Sequence, residues 1–293
     1  MNLHRLRVFH EVARHLSFTR AAEALYTSQP NISRHVAQLE AELGARLFHR
    51  LGNTIELTDA GRIVYNYVGQ LFRLVDDLRR ALAELQGLEQ GYLRLGASST
   101  PGLYLLPPHL ASFRTRYPGL EVTLHLGNSR EIVAQVLSNE LDLGFVEGHA
   151  DVAGIQVQSF VTDELVFIAP AGHRLGGHEE LEPQALTGEA FIWREEGSGT
   201  RDAMEAMLGQ LGIQPVRALV MRGCEGVKRA VMAGLGISFV SRHAVELELA
   251  HGLLVVLEDP KLRADRELSI VSHKDVRPSA AALAFLAHLR KAI

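Results

Sequence analysis

The sequence has 293 residues, 47% of them hydrophobic and 22% charged, with a net charge of −4. That excludes a disordered or fibrous chain, and apolar runs as short as 253–257 exclude a membrane span. One cysteine, Cys224, excludes an intrachain disulfide, and the polar start Met1-Asn2-Leu3-His4-Arg5 lacks an apolar leader, so a cytoplasmic protein is expected.

Charge is unevenly spread. Residues 1–57 hold seven arginines against five glutamates, a net of +2, which leaves −6 on the rest. A weakly basic head on an acidic body suits nucleic-acid binding by the head alone.

In chain order, Leu6, Phe9, Val12 and Leu16 recur at helical spacing. Ser17 or Thr19 can cap a second helix over 20–25, which carries Ala21, Ala22 and Ala24. After a break at Tyr26-Thr27, Ser28 can cap a third helix, with Pro30 tolerated in its first turn. Ile32, Val36, Leu39 and Leu43 make its apolar stripe, and Gly44 is a stop signal. Residues 46–57 alternate weakly around Leu51-Gly52-Asn53 and read as a small hairpin.

From Thr58, residues 58–88 read as one long helix. Val64, Leu71, Leu78 and Leu85 are seven apart, with Tyr67, Leu74 and Ala81 between them. Such a seam needs a partner helix, so a dimer is expected, the alternative being a core helix of a second domain.

From residue 91 strand-like and helical stretches alternate. Strands are expected over 92–96, 120–126, 141–146, 165–169, 216–221, 237–241, 253–257 and 268–272, and helices over 101–116, 130–139, 200–211, 225–233 and 279–291. That order implies α/β architecture with largely parallel sheets, in one large domain or two lobes.

Two short helices, a tight break and a third helix fit a helix-turn-helix, although a plain packing module has the same generic pattern. On the third helix Pro30, Arg34, Ala37 and Ala41 lie opposite the apolar stripe, and small alanines allow close approach to a groove. Gln29, Ser33 and Arg34 gather at its N-terminal end, where side chains meet base edges, arginine pairing with guanine and glutamine with adenine. Thr27, Ser28 and Asn31 can take phosphates, and His49 and Arg50 can touch the neighbouring backbone.

The wording of residues 17–40, of Leu47-Phe48-His49-Arg50 and of Leu57-Thr58-Asp59-Ala60-Gly61 resembles the head of LysR-type transcriptional regulators. The resemblance extends over the whole chain. Gly127-Asn128-Ser129, residues 142–148 and residues 194–201 look closest to members controlling sulfur, nitrogen or carbon assimilation. The resemblance implies a winged helix-turn-helix over 1–58, a linker and dimerisation helix over 59–89, and an effector-binding domain over 90–293. That domain would be a two-lobed α/β unit like type II periplasmic binding proteins, with lobe I about 90–162 and 267–293 and lobe II about 163–266. It further implies a homodimer or homotetramer and an interrupted palindromic promoter site in double-stranded DNA, with RNA polymerase as a further partner. Gln29, Pro30, Ser33 and Arg34 would occupy the base-reading positions. The wing, Leu51-Gly52-Asn53-Thr54, lacks the extra basic residues common in the family, which implies a weaker phosphate grip.

Four helix starts follow strand ends: 97–102, 127–130, 196–201 and 223–226. Ligands gather outside the carboxyl ends of α/β strands, and helix N-termini favour anions. A small anionic effector is therefore expected between the lobes. Ser98, Ser99, Thr100, Ser129, Ser198 and Thr200 would donate and Arg201 would supply charge, although serine and threonine at such places are often only caps. Trp193 precedes one opening and lines either the cleft or the core; Cys224 is either a cleft thiol or an inert small residue. No nucleophile elbow, dinucleotide fingerprint, P-loop, zinc-protease helix or paired-cysteine site is present, so no enzyme, metal or cofactor is expected. A ligand-binding receptor without a regulatory role is the alternative.

Overall fold

The computed structural model describes residues 2–51, 54–84, 91–148, 152–178 and 181–292. The chain divides into two compact units, Met1–Arg79 and Arg80–Ile293.

In the first unit α1 (Leu3–His15) is capped by the Asn2 side chain and α2 (Phe18–Ala24) by Ser17, whose Oγ accepts the Arg20 N–H. The second helix thus starts two residues before its expected position. Leu16 ends α1 in a left-handed conformation and is exposed, so it leaves the expected stripe. α3 (Gln29–Leu43) carries Pro30 in its first turn and stops at Gly44, with φ 66°. Ile32, Val36 and Leu39 join Leu6, Phe9, Val12, Leu47 and Phe48 in one core, while Leu43 in the last turn is exposed. Burial of these side chains against one another makes three short helices stable that would not form alone.

Strands β1 (Phe48–Leu51) and β2 (Thr54–Leu57) form the expected hairpin. Thr58 joins it to α4 (Asp59–Glu84): its Oγ1 accepts the Gly61 N–H at 2.9 Å and donates to the Arg46 carbonyl at 2.7 Å. Glu40 ties α3 to the same corner by accepting the Leu47 N–H at 2.8 Å.

α4 has two apolar faces, which changes the expected seam. Val64, Val68 and Leu71 pack on the core of their own unit. The exposed stripe is Ile63 (58%), Tyr67 (68%), Leu74 (70%) and Leu78 (61%). Leu85, the last seam residue, lies outside the described residues.

The second unit is built on β3 (Gly91–Ala97), α5 (Leu106–Arg116), β4 (Leu120–Leu126), α6 (Ser129–Leu137), β5 (Leu143–Glu147), β6 (Ile155–Pro170) and β7 (Ala190–Arg194). It continues through α7 (Gly199–Leu211), β8 (Val216–Met221), α8 (Gly223–Met232), β9 (Ser238–Ser241), α9 (Glu246–Ala250), β10 (Leu254–Val256), β11 (Arg263–His273) and α10 (Ala280–Ala292). A π-helical turn, Pro101–Leu105, leads into α5. The main sheet runs β10-β6-β11-β5-β3-β4, with β9 also on β6, and β7 pairs with β8 beside it.

The expectation of largely parallel sheets is only half met. β3–β4, β3–β5 and β7–β8 are parallel, but β6 and β11 pair antiparallel along the length of β11. These two strands serve two cores, and the chain crosses between the cores once in each direction. Phe160, Leu268 and Ile270 pack with Leu93, Phe113, Phe145 and Phe285 in one core. Leu165 and Phe167 of β6 and Ala264 of β11 pack with Phe191, Trp193 and Phe239 in the other. The change-over falls where Asp163 is paired with Arg266 in register.

Gly61 illustrates how tight the α4 corner is. A Cβ there would lie 2.1 Å from the Leu47 carbonyl oxygen. Gly61→Ala is expected to destabilise the N-terminal unit by about 1–3 kcal/mol, read as a lower denaturation midpoint for that unit.

Candidate DNA-reading and effector sites

At the start of α3, Ser28, Gln29 and Pro30 are exposed. Ser28 stands at the cap position but makes no side-chain cap bond. Asn31 Nδ2 donates to Thr27 Oγ1 at 3.0 Å, and Arg34 Nη2 donates to Asn31 Oδ1 at 2.6 Å. This short chain pre-positions Thr27, Asn31 and Arg34 along one exposed edge. Ser33 and Ala37 face a groove of about 570 Å³ closed on its other side by Arg46, Phe48 and His49 of the hairpin region. The side chain of Arg50 lies outside the described residues. His35, next to Arg34, stands edge-on to His4 at 4.9 Å. Burial, then His4, Arg34 and Arg5, hold its pKa below the usual histidine range.

In the second unit the expected donors divide into two groups. The first is already engaged. Thr100 N–H donates to Glu147 Oε1 at 3.0 Å; Thr200 N–H and Oγ1 donate to Glu147 Oε2 at 3.3 and 2.9 Å. Ser129 Oγ bonds the Glu147 main chain, both carbonyl and N–H at 3.2 Å. Arg266 donates to Thr200 Oγ1 at 2.9 Å and Thr100 Oγ1 at 3.0 Å, and forms ion pairs with Glu147 at 3.4 Å and Asp163 at 2.7 Å.

The second group is not engaged. Ser98 Oγ and Ser198 Oγ are buried without a hydrogen-bond partner among the described residues. So is Nη1 of Arg194, whose side chain is 2% exposed. Arg194 otherwise grips Glu195 through Nε at 2.8 Å and Nη2 at 3.0 Å, and reaches Ser99 Oγ at 3.3 Å. Glu195 also takes the Gly223 N–H at 3.2 Å. Sequence reading missed Arg194, Glu147, Arg266 and Asp163; of the adjacent acids Glu195 and Glu196 only Glu196 is exposed, paired with Arg130 at 3.2 Å.

Three further expected contacts are buried or turned to partners within the chain. Trp193 is packed in a core, with Arg217 at 4.7 Å and Arg201 at 5.9 Å from its ring centre. Arg201 is paired with Glu205 at 3.0 Å, four residues on along its own helix. Cys224 is buried and donates to the Tyr104 hydroxyl at 3.5 Å. Burial pushes its pKa up, which favours the thiol over the thiolate. The rim is joined by Arg222 to both Glu131 oxygens at 2.8 and 2.9 Å, and by Tyr104 to Glu225.

Although burial opposes ionisation of Glu147, the Arg266 and Arg194 charges and the Thr100 bonds hold its pKa down to about 2 from 4.5. A depressed carboxylate stabilises the fold above its unfolded pKa and loses that contribution as pH falls through the folded one. The stability gap between wild type and Glu147→Gln is therefore expected to be constant from pH 7 to about 5 and to shrink as pH falls toward about 2. Denaturant titrations of both proteins across that range check it.

Residues 3–62 match the model of the bacterial regulatory helix-turn-helix protein, lysR family, and residues 86–293 match the LysR substrate binding domain. The chain is 39% identical over 285 residues to a RuBisCO operon transcriptional regulator of Allochromatium vinosum, covering 97% of this chain and 94% of that one. The CcmR regulatory domain of Synechocystis PCC6803, solved in complex with 2-PG, superposes with TM-score 0.65 and 32% identity, covering 69% of this chain and 97% of that one. CbnR, a LysR family transcriptional regulator, superposes at TM-score 0.74 with 22% identity over 99% of both chains, which supports the fold. Among the described residues no helix is long and apolar enough to cross a membrane. With a helix-turn-helix at one end and a ligand-binding domain over most of its length, the chain belongs to the LysR family of DNA-binding transcriptional regulators whose activity is modulated by a small-molecule effector.

Proposed function

We propose that this regulator reads an interrupted palindromic promoter site in double-stranded DNA and responds to a small anion held between the lobes of its second unit. The division of labour follows the three stretches expected from sequence: 1–58 for DNA, 59–89 for pairing of copies, 90–293 for the effector. The similarity to regulators named for the RuBisCO operon supports a carbon-assimilation target.

The observation that carries the effector reading is that three buried donors, Arg194 Nη1, Ser98 Oγ and Ser198 Oγ, have no partner among the described residues; Trp193 Nε1, next in the chain to Arg194, is another such donor. They belong to one neighbourhood, because Ser99 accepts from Arg194 and Ser198 N–H donates to the Glu195 carbonyl at 3.4 Å. Donors left buried without acceptors are costly, and a ligand that accepts from all three relieves that cost. A buried guanidinium nitrogen that still lacks an acceptor suits an oxygen of a carboxylate or phosphate group. The ligand of the CcmR regulatory domain, 2-PG, is the first compound to test, beside inorganic phosphate and simple carboxylates. At a hundred times its dissociation constant the true effector should stabilise the protein by about 2.7 kcal/mol. The shift should disappear in Arg194→Ala, and a panel without any selective shift would remove the anion from this reading.

The exposed stripe Ile63, Tyr67, Leu74 and Leu78 supports pairing of two copies through α4. The edge strand β8, with Val216, Leu219 and Val220 exposed, supports further pairing into a tetramer. Gln29, Ser33 and Arg34 face bases, Thr27, Ser28, Asn31, His49 and Arg50 the backbone, and RNA polymerase is the partner that would read the outcome in the cytoplasm. Binding to promoter DNA should weaken steeply with added salt. Arg34→Ala should lose about 1–3 kcal/mol of discrimination at one base pair, measured by titrating operator variants; unchanged discrimination would place base reading elsewhere.

A further inference from the structure

A carboxylate of the chain itself stands where two helices would receive an anion. The Thr100 N–H precedes the Pro101–Leu105 turn and α5, and the Thr200 N–H lies in the first turn of α7. Both point at the carboxylate of Glu147. Helix starts carry unpaired N–H groups and the positive end of the helix dipole, so each favours negative charge. Here the two starts lie on opposite sides of the strand crossing, and one buried carboxylate serves both. Arg266 supplies the counter-charge at 3.4 Å and is itself anchored on Asp163.

The fit leaves no room beside Glu147 for a second anion. A Cβ on Gly199 would fall 2.4 Å from the Glu147 carbonyl oxygen and 2.8 Å from its Cβ, so the α7 start is pressed onto this residue. Both Thr100 and Thr200 hydroxyls are also taken by Arg266.

We infer that Glu147 acts as an internal ligand. It fills an oxyanion site shared by the two lobes, holds them together without an added anion, and confines effector recognition to the neighbouring Arg194, Ser98 and Ser198 side. Only the last of these three statements rests on the proposed effector site. Glu147 is then a specificity-determining residue: free small anions have no access to the helix starts while its carboxylate is there.

Truncation should turn the internal ligand into an external one. Glu147→Ala removes the atoms of one acetate ion and leaves the donors in place. The test is thermal melting of the full chain as wild type, Glu147→Ala and Glu147→Gln. Sodium acetate or formate is compared with sodium chloride at equal ionic strength. At ten times its dissociation constant, acetate should raise the Glu147→Ala midpoint by about 4 °C over the chloride control. Wild type and Glu147→Gln should not respond, because their side chains fill the space. Equal shifts in all three proteins, or no shift in a folded Glu147→Ala, would overturn the inference. If Glu147→Ala does not fold, Glu147→Gln decides alone: its midpoint at pH 7 should lie below wild type, and an unchanged midpoint would overturn the need for charge at this position. The melts contain no effector, so their failure leaves the Arg194 site standing, and a flat response to 2-PG leaves the internal ligand standing.

Discussion

Two acids and one arginine are buried together where β6 and β11 pass from one core to the other. Glu147 and Asp163 are fully buried and Arg266 nearly so. Taking such charges out of water is expensive, and the expense is offset only when every partner is present with good geometry. Here Glu147 takes three donors besides Arg266, and Asp163 takes the Ser241 hydroxyl at 2.6 Å besides Arg266. The network draws on β5, β6, β9, β11 and the starts of two helices. Closure of the two lobes is thus an electrostatic condition as well as a packing one: opening them would expose a charged cluster whose members are matched only when the lobes meet.

The site beside this network follows from it. On the proposed reading Glu147 saturates the helix starts, and discrimination of a ligand passes to the groups left incomplete. Arg194 is the informative one. Its bidentate grip on Glu195 fixes the plane of the guanidinium and leaves one nitrogen buried without an acceptor. A guanidinium oriented in advance loses little freedom on binding, so a ligand oxygen meets donors already in place. The rim bonds Arg222–Glu131 and Tyr104–Glu225 lie on exposed or half-exposed side chains, where water competes and each is worth little.

The N-terminal unit was largely legible because its information is local. Ser17, Pro30, Gly44 and Thr58 mark helix ends within a few residues of the groups they serve, and Ile32, Val36 and Leu39 repeat at the helix period. α4 was harder, since two apolar stripes overlap on one helix and a seven-residue count mixes them; burial separates Val64 and Leu71 from Tyr67, Leu74 and Leu78. In the second unit the long strands β6 and β11 read short because only their C-terminal halves are mainly apolar, while polar residues such as Asp163 and Arg266 stand in the rest. β7 was not expected as a strand at all, though its residues are buried.

The effector side chains show where local reading stops. Ser98, Thr100, Ser129, Ser198 and Thr200 have the same sequence signature, a hydroxyl where a strand gives way to a helix. What separates them is the accounting of acceptors, and the acceptor for three of them is one residue, Glu147, which lies 47 positions from Thr100 and 53 from Thr200. Such a carboxylate at a strand end looks like any solvated residue until the fold brings two helix starts to it. A hydroxyl whose bonds are complete within the chain is part of the scaffold. One that is buried and incomplete among the described residues, as in Ser98 and Ser198, is where the proposed ligand would lower the free energy, and Arg194 would supply its counter-charge.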